Sequence, residues 1–533
     1  MQAVNQEVKP VQASPIAKPH SLKQVLLPVA YGIILLVAFF ISYSTVFDKK
    51  IDLNGDDTGY YLLGKALASG KGYTNTFELG NAPHNHFPPG YPAVIAVMCK
   101  LFSNDLIFIK HVNGFFLLGS IALLCFITWK IGKNIHVTFL AALFSLLNGH
   151  LLEYSVNTMS EVPFLFFSLL CILMAMNTNY EKPVFKNLYF WLLIICLSFT
   201  YHVRTTGISL LVGLLAFLLL RKNWQYALAG LLGFVVLALP WYLRGKSLGG
   251  NSYLSQLVMK NAYRPELGKM ELADWLARFW NNLIRYFTFE IPSCVKGIRV
   301  ADYNTPAATG AVIMAGAMIE LILVGLFMLK HKAENLFTFF ILSYFAILLL
   351  WPDVWIGVRF MLPLLPLLLF LMIYGIFGSL QWVLTQLKVK NDQMVAAIAM
   401  LVIAAFLIMP YTGPIGKLKQ EAHNDFPPQF KNYFTLAEWA KQNIPDSSVV
   451  CCRKEELFYL FSNRVGAPFL RTLNTEEQMT WLQNGKIDYV VVDALGYSDT
   501  KRYLVPAVEK YPAKFRVVKE IKNPNTFLLQ VVR

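Results

Sequence analysis

Charge is scarce in this chain. Of its 533 residues only 15% are charged while 56% are hydrophobic, whereas a soluble domain carries about a quarter charged residues. That shortage excludes an ordinary soluble globular protein. The seven cysteines, Cys99, Cys125, Cys171, Cys196, Cys294, Cys451 and Cys452, form neither a disulfide framework nor a zinc-type pair spacing. Four of them lie in apolar runs, where cysteine acts as a small hydrophobe. No glycine-rich nucleotide fingerprint follows a strand-like segment, and there is no internal repeat or low-complexity tract. The net charge of +15 does not point to nucleic acid. Its Lys and Arg residues come in small groups between apolar runs, with no basic stripe interleaved with aromatics.

What the chain has is apolar length. Runs at 25–46, 106–129, 135–152, 160–177, 188–202, 206–220, 226–243, 308–329, 335–351, 360–379 and 394–411 approach or reach the roughly 17 to 25 residues that cross a bilayer. They predict a polytopic α-helical membrane protein of about eleven transmembrane helices. A polar segment, 1–23, precedes the first run, which is too long for a signal-peptide core and lacks a clear small-residue cleavage site. With residues 1–23 as a cytoplasmic tail, Lys130 and Lys133, Lys182 and Lys186, Arg221 and Lys222, Lys330 and Lys332, and Lys388 and Lys390 all fall on the cytoplasmic side, as the positive-inside rule asks. Segment 91–102 is short for a span and reads as re-entrant or interfacial. Counting it as a span would put every one of those basic pairs outside.

This topology places a first loop, 47–105, and a large loop, 245–307, on the outer face. Within the latter, Leu272, Trp275, Leu276, Phe279, Leu283 and Tyr286 share one helical face, so that a helix flanked by Arg278 and Arg285 is expected to lie in the headgroup zone. Composition changes after Pro410. Residues 413–533 read as a small α/β domain on the outer side of a membrane unit spanning 24–412. Helical patterns at 433–443 and 475–484 alternate with strand-like 448–452 and 487–492. Two further strands, 515–521 and 526–532, flank a turn at Asn523-Pro524-Asn525.

Two adjacent acids, Asp56-Asp57, open an amphipathic segment in the first outer loop. Carboxylates favour a helix N-terminus, and neighbouring aromatics can desolvate one of them towards general-base duty. His84-Asn85-His86 precedes Pro88-Pro89. With an acid such as Glu78 or Glu161, His84 and His86 invite a divalent metal, although His-x-His alone is a weak signal. Arg204, Arg244 and Arg359 stand at outward ends of apolar runs, where a cation can meet a lipid phosphate or simply snorkel.

Asp56-Asp57-Thr58-Gly59-Tyr60, then Leu67-Ala68-Ser69-Gly70-Lys71-Gly72-Tyr73, then Phe87-Pro88-Pro89-Gly90-Tyr91-Pro92 together resemble the first loop of GT-C glycosyltransferases. The resemblance is to bacterial protein O-mannosyltransferase-like enzymes and lipid A aminoarabinose transferases. Ser160-Glu161-Val162-Pro163, Arg204, Pro240-Trp241-Tyr242-Leu243-Arg244 and Arg359-Phe360-Met361-Leu362-Pro363 extend it across residues 25–411. The resemblance implies inverting transfer of a hexosyl or pentosyl group from a polyprenyl-phosphate carrier to a protein, lipid or polysaccharide hydroxyl. It also implies an active site on the periplasmic face of a bacterial inner membrane. On that reading Asp56 is the general base, Asp57 holds the acceptor or shares its proton, and Glu161 orients the acceptor or assists Asp57. Arg204, Arg244 and Arg359 bind the donor phosphate, while Tyr60, His86 and His202 touch acceptor or sugar. The aminoarabinose transferases carry Glu-Lys before the double proline where this chain has His86-Phe87, which speaks against lipid A as acceptor.

The competing reading is a multi-pass transporter or flippase of a lipid-linked glycan, for which internal repeats and midspan ionisable groups would be expected. A membrane-anchored binding protein would need one anchor.

Overall fold

The computed structural model describes residues 22–53, 55–250, 252–329, 336–389 and 392–533. The tail up to residue 21 and the basic residues Lys330, Lys332 and Lys390 lie outside the described residues. Every apolar run forms helix. Five helices, Leu26–Val46, Leu106–Gly132, Trp224–Ser247, Thr309–Met328 and Leu365–Gln386, are long and apolar enough to cross a membrane, and Ile135–Leu147 with Gly149–Ser155, bent by 59°, makes a sixth if it is one span. The chain is therefore a polytopic α-helical membrane protein, with fewer evident spans among the described residues than the eleven expected. Apolar composition did not predict length. Glu161–Asn177 and Leu188–Val203 stop after 17 and 16 residues, about 24 to 26 Å at 1.5 Å per residue, against a hydrocarbon thickness of about 30 Å.

Short polar signals punctuate these helices. The Asp105 carboxylate accepts the Phe108 N–H at the start of Leu106–Gly132, and Asn134 accepts the N–H groups of His136 and Val137. The bend in the bent pair falls at Asn148, whose side chain caps the second half through His150. The closest helix packing joins Thr309–Met328 to Leu365–Gln386. There a Cβ on Gly325 would overlap the Leu371 carbonyl, and one on Gly375 would overlap the Leu321 carbonyl, a small-residue interface of the kind membrane helices use.

The helix Leu272–Arg285 leaves apolar residues at the surface and turns polar ones inward. Leu272, Leu276, Trp280 and Ile284 are exposed, whereas Arg278 and Asn282 are buried. Arg278 donates to the Leu257 and Met259 carbonyls and Arg285 to the Asp353 carbonyl. The arginines thus hold protein loops, and the apolar stripe faces outward.

The helix Asp392–His423 continues past residue 413, where the change in composition had suggested a boundary. Beyond it lies an α/β unit. Counting the hairpin β1 (Thr74–Asn75) and β2 (Ala82–Pro83) of the first loop, its strands are β3 (Val449–Cys451), β4 (Val465–Ala467), β5 (Tyr489–Val492), β6 (Phe515–Ile521) and β7 (Thr526–Val531). They form one sheet in the order β4-β3-β5-β7-β6, with β4, β3 and β5 parallel and β7 and β6 antiparallel. Helices Pro428–Asn443 and Glu455–Ser462 bury Leu436 and Leu457 with Val450 and Val491 on one face. Helices Thr475–Asn484 and Val505–Lys510 bury Leu482 and Ala507 with Cys451 and Val490 on the other.

The first loop is built into this unit. Ile51 lies in the same core as Phe430 and Phe458. Glu78 bridges to Gly466, and the Gly466 N–H donates to the Phe77 carbonyl at 2.7 Å, which covers the open edge of β4. Replacing Gly375 by Val should lower thermal stability in detergent by the equivalent of about 1–3 kcal/mol, read as an earlier unfolding transition; an unchanged transition would show that the two helices are not in backbone contact.

Candidate active site

Gly55 adopts φ +87°, a left-handed conformation natural to glycine, and turns the chain into the helix Asp56–Ala68. A helix places residues 3 and 4 apart on one face. Asp56, Gly59, Tyr60 and Leu63 accordingly line a cavity of about 1050 Å³. Asp57, 100° further round in an ideal α-helix, does not. It is fully buried, and its Oδ2 accepts the Asp52 N–H at 3.0 Å. Burial, reinforced by the Asp52 charge, pushes the Asp57 carboxyl well above the usual range. Two adjacent acids at a helix start cannot both face one site, so Asp57 is a structural neighbour of the cavity.

Asp56 is a third exposed, 34%. Burial raises its pKa, but the charges of Arg359, Lys454 and His86 together with the Arg359 hydrogen bond leave it below the ordinary value, hence ionised. Arg359 Nη1 lies 3.3 Å from Asp56 Oδ2, and its Nε lies 3.9 Å from Glu161 Oε1. Glu161, fully buried at the first turn of Glu161–Asn177, takes Arg204 Nη1 at 2.7 Å. The result is a chain of alternating charge, Asp56–Arg359–Glu161–Arg204. Ser160 Oγ joins it, accepting from Arg204 Nη1 at 3.0 Å and lying 3.1 Å from the Tyr60 hydroxyl. Tyr60 stacks on Phe87. Asn113 fixes the start of the Glu161 helix by donating to the Asn157 and Met159 carbonyls and accepting the Tyr91 hydroxyl.

The loop carrying Arg359 is held from the 245–307 connection. Asn282 donates to the Trp351 carbonyl at 2.8 Å, and buried Glu290 accepts the Gly357 N–H at 3.1 Å. Sequence reasoning missed both residues. Their signal was a polar residue on a helix judged by its apolar face alone.

The structure therefore brings together Asp56, Tyr60, His84, His86, Glu161, Arg204 and Arg359 at the cavity. Besides Asp57, it leaves two expected residues elsewhere. Arg244 donates to the His84 and Tyr73 carbonyls and packs on the Tyr73 and Trp241 rings, fastening the loop instead of meeting a phosphate. His202 turns its Nε2 to the Leu237 carbonyl at 3.3 Å. His84 faces the cavity, yet both ring nitrogens are engaged. Nε2 accepts the Phe87 N–H at 2.7 Å and Nδ1 meets Asn75 Oδ1 at 2.6 Å. Burial, with the charges of His86 and Arg244, holds its pKa down at about 3. Among the described residues no group of three or more His, Cys, Asp and Glu is placed to hold a metal ion, so the metal expectation for His84 and His86 lacks a ligand set.

No family model matches this chain, and no curated protein does. Solved structures do. The archaeal oligosaccharyltransferase AglB from Archaeoglobus fulgidus, in complex with an inhibitory peptide and a dolichol-phosphate, superposes with a TM-score of 0.58 at 13% identity over 89% of this chain and 70% of its own. ArnT from Cupriavidus metallidurans bound to undecaprenyl phosphate gives 0.55 at 12% identity over 96% of this chain and 98% of its own. Its apo state gives 0.56 at 11% identity over 95% and 98%. The chain has the GT-C fold. At such identities the likeness is one of fold, and the roles of the residues rest on this cavity.

In this GT-C chain the cavity has a second wall that sequence reasoning did not foresee. Arg453, Lys454, Glu455, Glu456, Arg471, Tyr497 and Asp499 of the α/β unit line it. The charge run at 453–456 directly after a strand was the available signal. Burial, then the Glu455 charge, pushes the Glu456 carboxyl up to about 8 from 4.5.

Two outcomes follow from these placements. Asp57→Asn should leave a folded protein with most of its turnover, because the neutral amide keeps an acceptor for the Asp52 N–H; loss of activity in a folded variant would return Asp57 to the chemistry. The native state keeps the Glu456 proton to higher pH than the unfolded chain does, so stability drains away as pH climbs from 4.5 through about 8. Thermal unfolding of Glu456→Gln should therefore fall less steeply over that window than wild type, and parallel slopes would refute the assignment.

Proposed function

We propose that this protein is an inverting glycosyltransferase. It moves a hexosyl or pentosyl group from a polyprenyl-phosphate carrier to an acceptor hydroxyl at the outer face of the membrane. The observation that carries this reading is Arg359, held between Asp56 and Glu161 in the cavity. Supporting it are the GT-C fold and the lipid-phosphate ligands of two structures that share it, dolichol-phosphate on AglB and undecaprenyl phosphate on ArnT.

The chemistry follows from the charges. A donor phosphate entering the cavity competes with Asp56 for Arg359. As Arg359 turns to the phosphate, Asp56 loses the cation that most lowers its pKa and becomes a better base. It takes the acceptor hydroxyl proton while that oxygen attacks the anomeric carbon. The new C–O bond forms as the bond to the phosphate oxygen breaks, and inversion results from this single displacement. Negative charge developing on the departing polyprenyl phosphate meets Arg359 in a poorly solvated site. Arg204 fixes Glu161, which holds Arg359 from behind, while Tyr60 and His86 lie beside the base. Burial opposes a charge on His86, and the Arg471 charge adds to that opposition while Asp56 favours one, so its pKa is lowered and a neutral imidazole is available for hydrogen bonds to sugar or acceptor.

We place the chain in a bacterial inner membrane with its N-terminus cytoplasmic and its C-terminal unit periplasmic. Eleven apolar helical runs and the distribution of basic pairs support that orientation. The ion pairs of the cavity lie at helix ends, where an interfacial enzyme needs them, whereas a transporter would use charge near midspan.

The test is release of label from radiolabelled polyprenyl-phosphate sugars in detergent, with a periplasmic extract as acceptor. Wild type should release label, while Asp56→Asn and Arg359→Gln, both folded, should be slower by about 10²–10⁴-fold. Full turnover by Asp56→Asn would sink the general-base assignment.

A further inference from the structure

The α/β unit has a topological feature that bears on what enters the cavity. From β3 the chain passes through the helix Glu455–Ser462 to β4 on one side; it then returns through Thr475–Asn484 to β5 on the other side of β3. The helix after β3 packs on one face of the sheet and the helix after β5 on the opposite face. The connections leaving β3 and β5 therefore diverge, and a crevice opens between them at the carboxyl ends of the parallel strands. In open α/β sheets this is where ligands bind.

Three connections leave those carboxyl ends, and each delivers a charged residue. Arg453 and Lys454 follow β3, Arg471 follows β4, and Asp499 follows β5. Arg453 Nε and Arg471 Nη2 approach the same oxygen, Asp499 Oδ2, at 3.5 and 3.3 Å. One carboxylate does not neutralise two guanidinium groups. Two tyrosines complete the crevice. The Tyr497 ring lies 4.9 Å from Arg453 and 5.2 Å from Lys454, and the Tyr263 ring lies 5.4 Å from Arg471. All six side chains line the large cavity. Glu455 and Glu456 stand nearby; burial raises both carboxyls, that of Glu456 to about 8, which weakens the Glu456 offset of this positive charge near neutral pH.

We propose that this crevice is a second, anion-binding subsite, and that it holds a phosphate- or carboxylate-bearing sugar of the acceptor while its hydroxyl is presented to Asp56. Guanidinium groups in a planar fork suit phosphate and carboxylate, and a tyrosine ring offers a flat surface to a sugar face. The absence of a glycine-rich phosphate loop means that side chains hold the anion. The carrier phosphate has its own cation at the membrane end, Arg359, where an apolar tail can remain among the helices. The crevice belongs to the soluble unit, so the anion it takes is on the other substrate. This assignment rests on the transferase reading above.

The experiment measures binding of soluble probes to the full-length protein in detergent: glucose 6-phosphate, glucuronate and neutral methyl glucoside. Wild type should favour an anionic probe over the neutral one by about tenfold or more. Arg453→Gln and Arg471→Gln should each remove most of that preference while binding undecaprenyl phosphate like wild type. Asp499→Asn, which deletes the competing internal carboxylate, should bind the anionic probe more tightly, a direction that misfolding does not produce. Three results would overturn the proposal: equal binding of anionic and neutral probes, an anion preference that survives both arginine substitutions, or loss of undecaprenyl phosphate binding in those variants, which would give the crevice to the carrier. Because the probes are read without turnover, a wild-type protein that binds them as expected yet releases no sugar would refute the transferase reading and leave the anion site standing.

Discussion

The site depends on one cation shared by two carboxylates. Arg359 meets Asp56 from the first loop and Glu161 from the start of an apolar helix, so three distant segments become one charged chain. Burying a carboxylate such as Glu161 near a low-dielectric region is costly unless a partner compensates, and Arg204 at 2.7 Å is that partner. The pairing leaves Arg359 28% exposed, in the lining of the cavity.

Backbone carbonyls do much of the holding. Arg244, Arg278, Arg285 and Asn282 each turn polar side chains onto carbonyls of neighbouring loops, and buried Lys110 does the same for the carbonyls of Asp48 and Lys50. Irregular backbone at the membrane boundary leaves acceptors that neither helix nor water satisfies. Long cationic and amide side chains reach them. Several residues with the chemistry of a phosphate site are thereby spent on structure, and the same demand explains why the polar face of Leu272–Arg285 turns inward.

The soluble unit is a wall of the cavity, not an appendage. Ile51 lies in its core, Glu78 bridges to its edge strand, and the Glu456 carboxylate closes on Gly55, beside Asp56. Any shift of the sheet would move the turn that aims Asp56. The helix Asp56–Ala68 and the crevice at the carboxyl ends of β3 and β5 are parts of the same junction.

Much was legible in the chain itself. Each apolar run marked a helix of the membrane part, and β-branched runs marked four of the five strands of the α/β sheet. The helix Thr475–Asn484 and the strand Phe515–Ile521 fell where the pattern put them. The strand Val465–Ala467 and the helix Glu455–Ser462 went unread, because three residues are too few for a period and an eight-residue helix shows little of one. Acids and arginines at helix ends were also visible, since charge stands out against so apolar a background. Which of them meet was not visible. Helical phase separated Asp57 from Asp56, close packing of distant loops withdrew Arg244 and His202, and the path of the chain across the sheet added Arg453, Arg471 and Asp499. Local composition determines where a helix forms and where charge can be tolerated. Only the tertiary fold decides which charges share a cavity, because side chains hundreds of residues apart in sequence meet there through packing that no local pattern encodes.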